Sequence, residues 1–346
     1  MIDHEELLTR RGERSGLPIA IAVHSTVLGP ALGGCRMWHY ENPEEGADDA
    51  LRLARAMTLK AAAAGLDLGG GKGVICLPDG APTAEGRRAA LLDFADAVES
   101  LEGRYITAED VGTCAEDMAV IDERTGHVVG LPAALGGCGD PSPLTARGVE
   151  RAIRACCQHR FGSPEVEGLR VCVIGLGHVG TELARRLAES GAELLVSDIE
   201  PGRRTRAEQF GARWVDPMEA PLIDCEVLAP CALGGTVDAA NAESLRCQII
   251  CGAANNMLAA EALAERLARR GIVYAPDFIA NAGGLIHVYA DLHGDDAAHV
   301  DDLVDSIGDT VERVLAEADE AETTPLEAAR RLARSRLEGA AAIPAA

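Results

Sequence analysis

Thirty arginines but only two lysines, Lys60 and Lys72, supply the fixed cations of this 346-residue chain. A bias that writes nearly every surface cation as Arg leaves Lys where a guanidinium cannot serve. Arg is a planar fork that keeps its proton in a protein; the ammonium of Lys is compact and sheds its proton when buried or set beside another charge. Both lysines fall in one short segment. Lys60 lies in the helical run DDALRLARAMTLKAAAAG, and Lys72 follows three glycines in LDLGGGKGVI. Two surface lysines left by chance are the plainer alternative, and the shared Gly-rich neighbourhood weighs against it. The pattern points to lysine-based chemistry, with an amine able to give up its proton.

A second site is written in GLGHVG, which comprises Gly175, Leu176, Gly177, His178, Val179 and Gly180. A G-x-G-x-x-G match is weak by itself. Here an apolar strand precedes it, a helix follows, and the next strand, LLVSD, ends on Asp198. That is the dinucleotide-binding arrangement: the glycines permit a tight turn and close approach to a pyrophosphate, and the helix N-terminus stabilises its charge. Asp198 would accept hydrogen bonds from both adenosine-ribose hydroxyls and repel a 2′-phosphate, which favours NAD over NADP. Arg203 and Arg204 nearby could instead serve a phosphate. A ligand-free Gly-rich turn and an FAD site are the alternatives, and a site placed after a separate first domain suits a nicotinamide dehydrogenase better.

The elements that must position these groups read as two α/β units. In the first, strands are expected over 19–27, 73–77 and 104–110, and helices over 47–64, 84–101 and 115–125, the last with Thr113 and Glu116 as a capping box. GGCGDPSP (136–143) is too rich in Gly and Pro for either element and reads as a hinge. Beyond it come a helix over 145–161, the strand–turn–helix–strand of 169–200, and further parallel strands at 227–231, 248–256 and 272–276. Thr324-Pro325 opens a last helix that Gly339 is expected to end, before a disordered AAAIPAA tail. The expected domains are residues 1–141 for substrate binding and oligomerisation and 142–312 for the dinucleotide, separated by a cleft. Helices of about 313–346 are expected to pack back on the first domain.

Composition narrows the function classes. The formal charge of −23 and pI near 4.7 argue against nucleic acid or an anionic membrane as partner. Hydrophobic residues make up 47%, with no run long enough to span a bilayer. The polar start MIDHEELLTRRGE lacks the apolar stretch of a signal peptide, so the expected location is cytoplasmic. Eleven cysteines, an odd number without a CxxC pair, read as reduced buried thiols, and no Cys/His cluster has metal-ligand spacing.

The two-lysine segment, the hinge and the second unit together resemble the Glu/Leu/Phe/Val amino-acid dehydrogenase family, most closely its leucine, valine and phenylalanine branch. The matching stretches are GPALGGCRMW (29–38), MTLKAAAAGLDLGGGKGVI (57–75), RYITAEDVGT (104–113) and GDPSPLTARGV (139–149). GLGHVG, APCALGG (229–235), GAANN (252–256) and APDFIANAGGLIHV (275–288) continue them. The resemblance implies NAD-dependent oxidative deamination of an L-amino acid to a 2-oxo acid and ammonia, or the reverse, by a homo-oligomer. It implies that Lys60 binds the substrate carboxylate with backbone near Gly33 and Gly34, that Lys72 is the catalytic lysine, and that Asp110 is its proton-transfer partner. Thr145 would contact the nicotinamide amide, Asn256 the nicotinamide side of the cofactor or the substrate, and Ala232 and Leu233 the adenosine. Leu32, Ala108, Leu285 and Val288 would wall the side-chain pocket.

The chemistry accounts for these residue types. Hydride leaves the α-carbon only when the amine is neutral, and a carboxylate at Asp110 can take that proton. The iminium must then add water, and a neutral Lys72 can take a proton from it and afterwards stabilise the carbinolamine oxyanion. Glutamate as substrate would call for a further lysine on its side-chain carboxylate. With Lys60 and Lys72 assigned, none remains, and Leu32 is apolar, so an apolar substrate is expected. Leu32 and the AED motif lean towards leucine, valine or isoleucine, while APDFIANAGGLIHV leans somewhat towards phenylalanine. A catalytically silent regulatory relative is the alternative of another class; it would be expected to lose Lys72 or Asp110, and both are present.

Overall fold

A computed structural model of the chain describes residues 4–77, 80 and 82–342. It contains two compact units. The first comprises Met1–Gly139, Val288–Gly294 and Ala333–Ala346, and the second Asp140–His287 and Asp295–Leu332.

In the first unit the elements run β1 (Glu6–Arg11), β2 (Pro18–Ser25), β3 (Ala31–His39), α1 (Pro43–Ala63), β4 (Gly69–Leu77), α2 (Ala84–Glu99), β5 (Tyr105–Glu109) and α3 (Ala115–Asp122). The five strands form one sheet in the order β1-β2-β4-β3-β5. β2 is antiparallel to both its neighbours, and β3 is parallel to β4 and β5. Side chains alternate across the sheet. One face gathers Ile21, Met37, Ile75 and Tyr105 against Leu91, Phe94 and Met118. The other sets Ala20, Ala22 and Val74 against Ala50 and Ala54 of α1. Alanines on the helix and glycines on the strand let these backbones come close.

The strand at Lys72 begins earlier than the sequence suggests. Gly69, Gly70 and Gly71 are part of β4, not a turn before it. Packing is the reason. A Cβ on Gly70 would lie 2.1 Å from the Thr58 backbone nitrogen of α1, and one on Gly71 would lie 2.5 Å from the Tyr105 ring. One short-range reading also changes. Cys114, not Thr113, caps α3, with Asp117 accepting from the cap backbone, while Thr113 is drawn off to other bonds described below.

The second unit comprises α4 (Ser142–Phe161), β6 (Arg170–Ile174), α5 (His178–Glu189), β7 (Glu193–Ser197), α6 (Arg204–Gln209), β8 (Arg213–Trp214), β9 (Val227–Pro230), β10 (Ile249–Ile250), α7 (Leu263–Arg269), β11 (Val273–Tyr274) and α8 (Asp277–Ala280). The chain continues through α9 (Gly283–His293), α10 (Ala297–Glu320) and α11 (Pro325–Ala341). All six strands are parallel, in the order β11-β10-β9-β6-β7-β8, with two-residue strands at both edges. This is the doubly wound nucleotide-binding sheet, whose order reverses between β6 and β9.

α10, 24 residues long, falls within the second unit, where Asp305 bonds Arg147 and Arg151 of α4. The expectation that everything after about 313 joins the first unit is therefore corrected: only Ala333–Ala346 is grouped there. Thr324 does open α11, its hydroxyl accepting from the Glu327 backbone, but the helix runs through Gly339 to Ala341 because nothing crowds that glycine and helical bonds continue. The end of the expected disordered tail, residues 343–346, lies outside the described residues. Among the described residues, no helix is long and apolar enough to cross a membrane.

The close approach of α1 to Gly70 can be tested through stability. Gly70→Ala forces α1 and β4 apart and is expected to cost about 1–3 kcal/mol as an overpacked core site. Gly339→Ala, on an open helix surface, should be neutral or slightly stabilising. Thermal unfolding of both variants checks this; a Gly70→Ala melting temperature equal to the parent's would refute the packing account.

Candidate active site

In the first unit the sheet centre brings one charge cluster together. Alternation turns Lys72 of β4 to the same face as Val74, towards α1, and Arg36 of β3 pairs with Val74 in register. Asp110 follows β5 directly. Lys72 Nζ stands 2.9 Å from Asp110 Oδ2, and only 5% of Lys72 is exposed. The same carboxylate oxygen accepts from Arg36 Nε at 2.9 Å. Arg36 then donates from Nη1 to Asp49 Oδ2 at 2.9 Å, an oxygen that also accepts from Tyr40 at 2.8 Å, while Arg52 donates to Asp49 Oδ1 at 2.5 Å. The Asp110 backbone is fixed as well. Its N–H donates to Thr113 Oγ1, and that hydroxyl donates to the Cys35 carbonyl.

Burial and charge act differently on the two central groups. Burial pushes the Lys72 ammonium below the ordinary lysine range, with Arg36 repelling it further and Asp110 opposing. Burial would raise the Asp110 carboxyl, but Lys72 and Arg36 outweigh it and hold the group below its usual value. A carboxylate between two cations stays ionised. A buried lysine that shares its one carboxylate with a second cation, Arg36, is the member of the pair that can become neutral.

Several other sequence candidates lie around this pair. Gly33 and Gly34 are in β3, where a Cβ on Gly33 would strike the Gly71 carbonyl at 1.7 Å and one on Gly34 would meet Asp110 Cβ at 2.7 Å. Tyr105 donates to the Gly33 carbonyl at 2.5 Å. Leu32 is buried in β3, and Ala108 of β5 pairs in register with Gly34. Lys60 is half-buried in the last turn of α1. Val288 groups with the first unit and Leu285 with the second, both on α9.

In the second unit the nucleotide turn is built at the end of β6. Gly175 has φ +99°, and a Cβ there would meet Ala232 at 2.7 Å, so Gly175 and Ala232 are neighbours only because one lacks a side chain. A Cβ on Gly180 would strike the Gly175 carbonyl at 1.9 Å, which ties the third glycine to the turn. Leu176 is buried and its N–H donates to Asp198 Oδ2 at 2.7 Å. Gly177 caps α5, Val179 is half-buried, and the exposed His178 lies 3.8 Å from Asp140. Burial would raise Asp198, but the Leu176 and Glu200 N–H groups and the Arg203 guanidinium, 2.9 Å away, hold it low. Asn256 takes a left-handed φ of +53°, its carbonyl accepting from Gly235. Thr145 sits in the first turn of α4, its hydroxyl donating to Pro141 and facing the position where a Cβ on Gly284 would lie. Leu233 is 84% exposed, as is Ile199 at 86%, two apolar side chains left in water beside the ends of β9 and β7.

Sequence reasoning passed over Arg36, Asp49 and Tyr40, although Arg36 stands inside the quoted GPALGGCRMW. Their roles depend on pairing between strands and helix that no local pattern encodes. Asn281 was likewise missed: it is buried, donating to Ala253 and to Asn255 of the GAANN loop.

Comparison with known proteins agrees with this architecture. Residues 6–127 match the Glu/Leu/Phe/Val dehydrogenase dimerisation domain, and residues 202–342 match the Glutamate/Leucine/Phenylalanine/Valine dehydrogenase model. Residues 145–233 match the NAD binding domain of D-isomer specific 2-hydroxyacid dehydrogenases. The chain is 46% identical to the leucine dehydrogenase of Bacillus subtilis over 97% of its own length and 92% of that protein. It is 42% identical to the valine dehydrogenase of Streptomyces virginiae over 97% and 94%. The solved structure of L-tryptophan dehydrogenase from Nostoc punctiforme superposes with a TM-score of 0.87 at 38% identity, covering 98% of this chain and 97% of that one. With two family models spanning most of its length and relatives this similar, the chain belongs to the Glu/Leu/Phe/Val dehydrogenase family of oxidoreductases.

Proposed function

We infer that this enzyme oxidatively deaminates a branched-chain L-amino acid, leucine, valine or isoleucine, to its 2-oxo acid and ammonia with NAD, and runs the reverse amination. The observation that carries the reading is the buried Lys72–Asp110 pair at 2.9 Å. Asp110, ionised at rest between Lys72 and Arg36, accepts the proton that the substrate ammonium must lose and passes it on. Lys72, eased towards its neutral form by burial, takes a proton from the water that adds to the imine carbon. As an ammonium it then stabilises the oxyanion of the carbinolamine. Lys60 and the Gly33–Gly34 backbone hold the substrate carboxylate, and Leu32, Ala108 and Val288 present apolar surface to its side chain. A glutamate side chain in such surroundings would leave a buried carboxylate unpaired.

Nicotinamide dinucleotide supplies the hydride acceptor when bound. The residues that hold it are the Gly175–Gly180 turn, Asp198 at the ribose, Ala232 and Leu233 at the adenosine, and Thr145 and Asn256 towards the nicotinamide. The fit rests on three features: the left-handed Gly175, the room at Gly177, where a Cβ would meet only the Arg203 guanidinium at 4.0 Å, and the pre-anchored Asp198 carboxylate. NAD is the preferred form because Asp198 and Glu200 oppose a 2′-phosphate. The enzyme works in the cytoplasm as a homo-oligomer; its eleven cysteines are all free thiols, as in a reducing compartment, and its first unit matches a dimerisation domain.

Purified enzyme should form reduced cofactor with NAD and Leu, Val or Ile faster than with Phe or Trp, and not with glutamate. Lys72→Ala should lower kcat by about 10²–10⁴-fold, and Lys72→Arg should not rescue it, since a guanidinium cannot act as a base. Activity with glutamate alone would overturn the pocket argument, and an active Lys72→Arg enzyme the base assignment. In cofactor titrations, kcat/KM should favour NAD over NADP, and Asp198→Gly should narrow the difference. Equal use of NADP by the parent would show that Arg203 or Arg204 had taken over recognition of the phosphate. Light scattering on the eluted protein should give a multiple of the 36.1 kDa chain mass; a monomer would contradict the assembly.

A further inference from the structure

Asp110 Oδ2 carries two donors at equal distance, Lys72 Nζ and Arg36 Nε, each at 2.9 Å. Arg36 is not free to leave. Its other arm is held by Asp49, which Tyr40 and Arg52 fix in turn. Arg36 stands on β3, Asp49 on α1 and Asp110 after β5, so three elements converge to place one guanidinium beside the carboxylate that Lys72 needs. If Asp110 served Lys72 alone, a single buried ion pair would favour a permanent ammonium.

We propose that Arg36 is a positioning residue for this reaction, dividing the Asp110 carboxylate so that Lys72 is left as the group of the pair that exchanges its proton. This rests on Lys72 acting as the base, as set out above. Arg36 need not touch substrate. It acts through the oxygen it shares and through its own charge, which repels a proton on Lys72. Besides Asp110 and Arg36, Cys35 of β3 acts on Lys72, and it is a thiol that burial keeps neutral. The other elements packed on β4 carry further titratable groups, Lys60 and Asp49 on α1 and His24 on β2, none of which lies between Arg36 and Asp110.

Deamination needs neutral Lys72, so kcat/KM rises with pH as that ammonium loses its proton. Removing the Arg36 charge makes the ammonium easier to keep and moves this limb to higher pH. The experiment records kcat/KM for leucine deamination against pH for the parent, Arg36→Gln, Arg36→Lys and Lys72→Ala, with binding of reduced cofactor, followed by its fluorescence, as the check on folding. Arg36→Gln should shift the limb upward by about one pH unit, the low end of what a neighbouring charge does, with about a tenfold loss below the limb. Arg36→Lys, which restores the charge, should bring the limb back towards the parent's position. Should Arg36→Gln fail to bind reduced cofactor, Arg36→Met, neutral and of similar reach, takes its place. A limb unmoved in a folded neutral variant overturns the proposal even if kcat falls, because a merely structural role would leave it there. A Lys72→Ala enzyme that keeps the parent's activity and limb would instead overturn the reading of Lys72 itself.

Discussion

The first unit is organised around one electrostatic constraint: a lysine ammonium nearly excluded from water must have a carboxylate, yet not one so dedicated that the proton can never leave. An isolated buried charge is expensive, and a buried ion pair broken on one side is strongly destabilising. The solution here is a chain of alternating charges running from Lys72 through Asp110, Arg36 and Asp49 to Arg52. Its members come from two strands, one helix and one loop, so the chain forms only after the sheet and α1 have packed. The glycines of β3 and β4 belong to the same constraint. Without side chains at Gly33, Gly34, Gly70 and Gly71, backbone and helix approach closely enough for side chains of modest length to meet.

The second unit handles a carboxylate in a related way and for a different end. Asp198 is clamped by two backbone N–H groups, those of Leu176 and Glu200, and by Arg203. The clamp joins the turn after β6 to the loop after β7, so the carboxylate is oriented by main chain before any ligand arrives. Asp110 is likewise held through its own backbone by Thr113, whose hydroxyl reaches across to β3. In both units, side chain and main chain together fix a strand-end acid. That reduces the ordering left to be done on binding.

Much of this was readable in the chain. GLGHVG and Asp198 are local, because strand, turn and helix follow one another along the sequence and backbone geometry dictates glycine. Lys72 stood out by composition alone. The extent of β4 was hidden because glycines signal turns when considered locally, whereas here they serve contacts with Thr58 and Tyr105, which are distant in sequence. β3 was seen as a motif and not as a strand, since Gly33 and Gly34 interrupt its alternation. The edge strand β1 was not anticipated, and of the long α10 only the end beyond about residue 313 was, although the helix has an apolar stripe at helical spacing, Val304, Ile307, Val311 and Val314. Thr113 misled because the same hydroxyl can cap a helix or bridge a loop to a strand. Asp49 and Tyr40 could not be found from spacing, because their meaning lies in which cation they face.

The two-residue strands that bound the nucleotide-binding sheet have a consequence of their own. An exposed sheet edge offers unpaired N–H and C=O groups on which another chain can assemble, and long flat edges are the hazardous ones. β8 and β11 present Arg213–Trp214 and Val273–Tyr274 only. An incoming strand would find too short a ladder to register upon, with the Arg213 cation as one of the two residues of β8. A parallel sheet of six strands, slow to complete because every pairing spans a crossover, is thereby guarded against zipping onto a neighbouring chain while its own order is still being built.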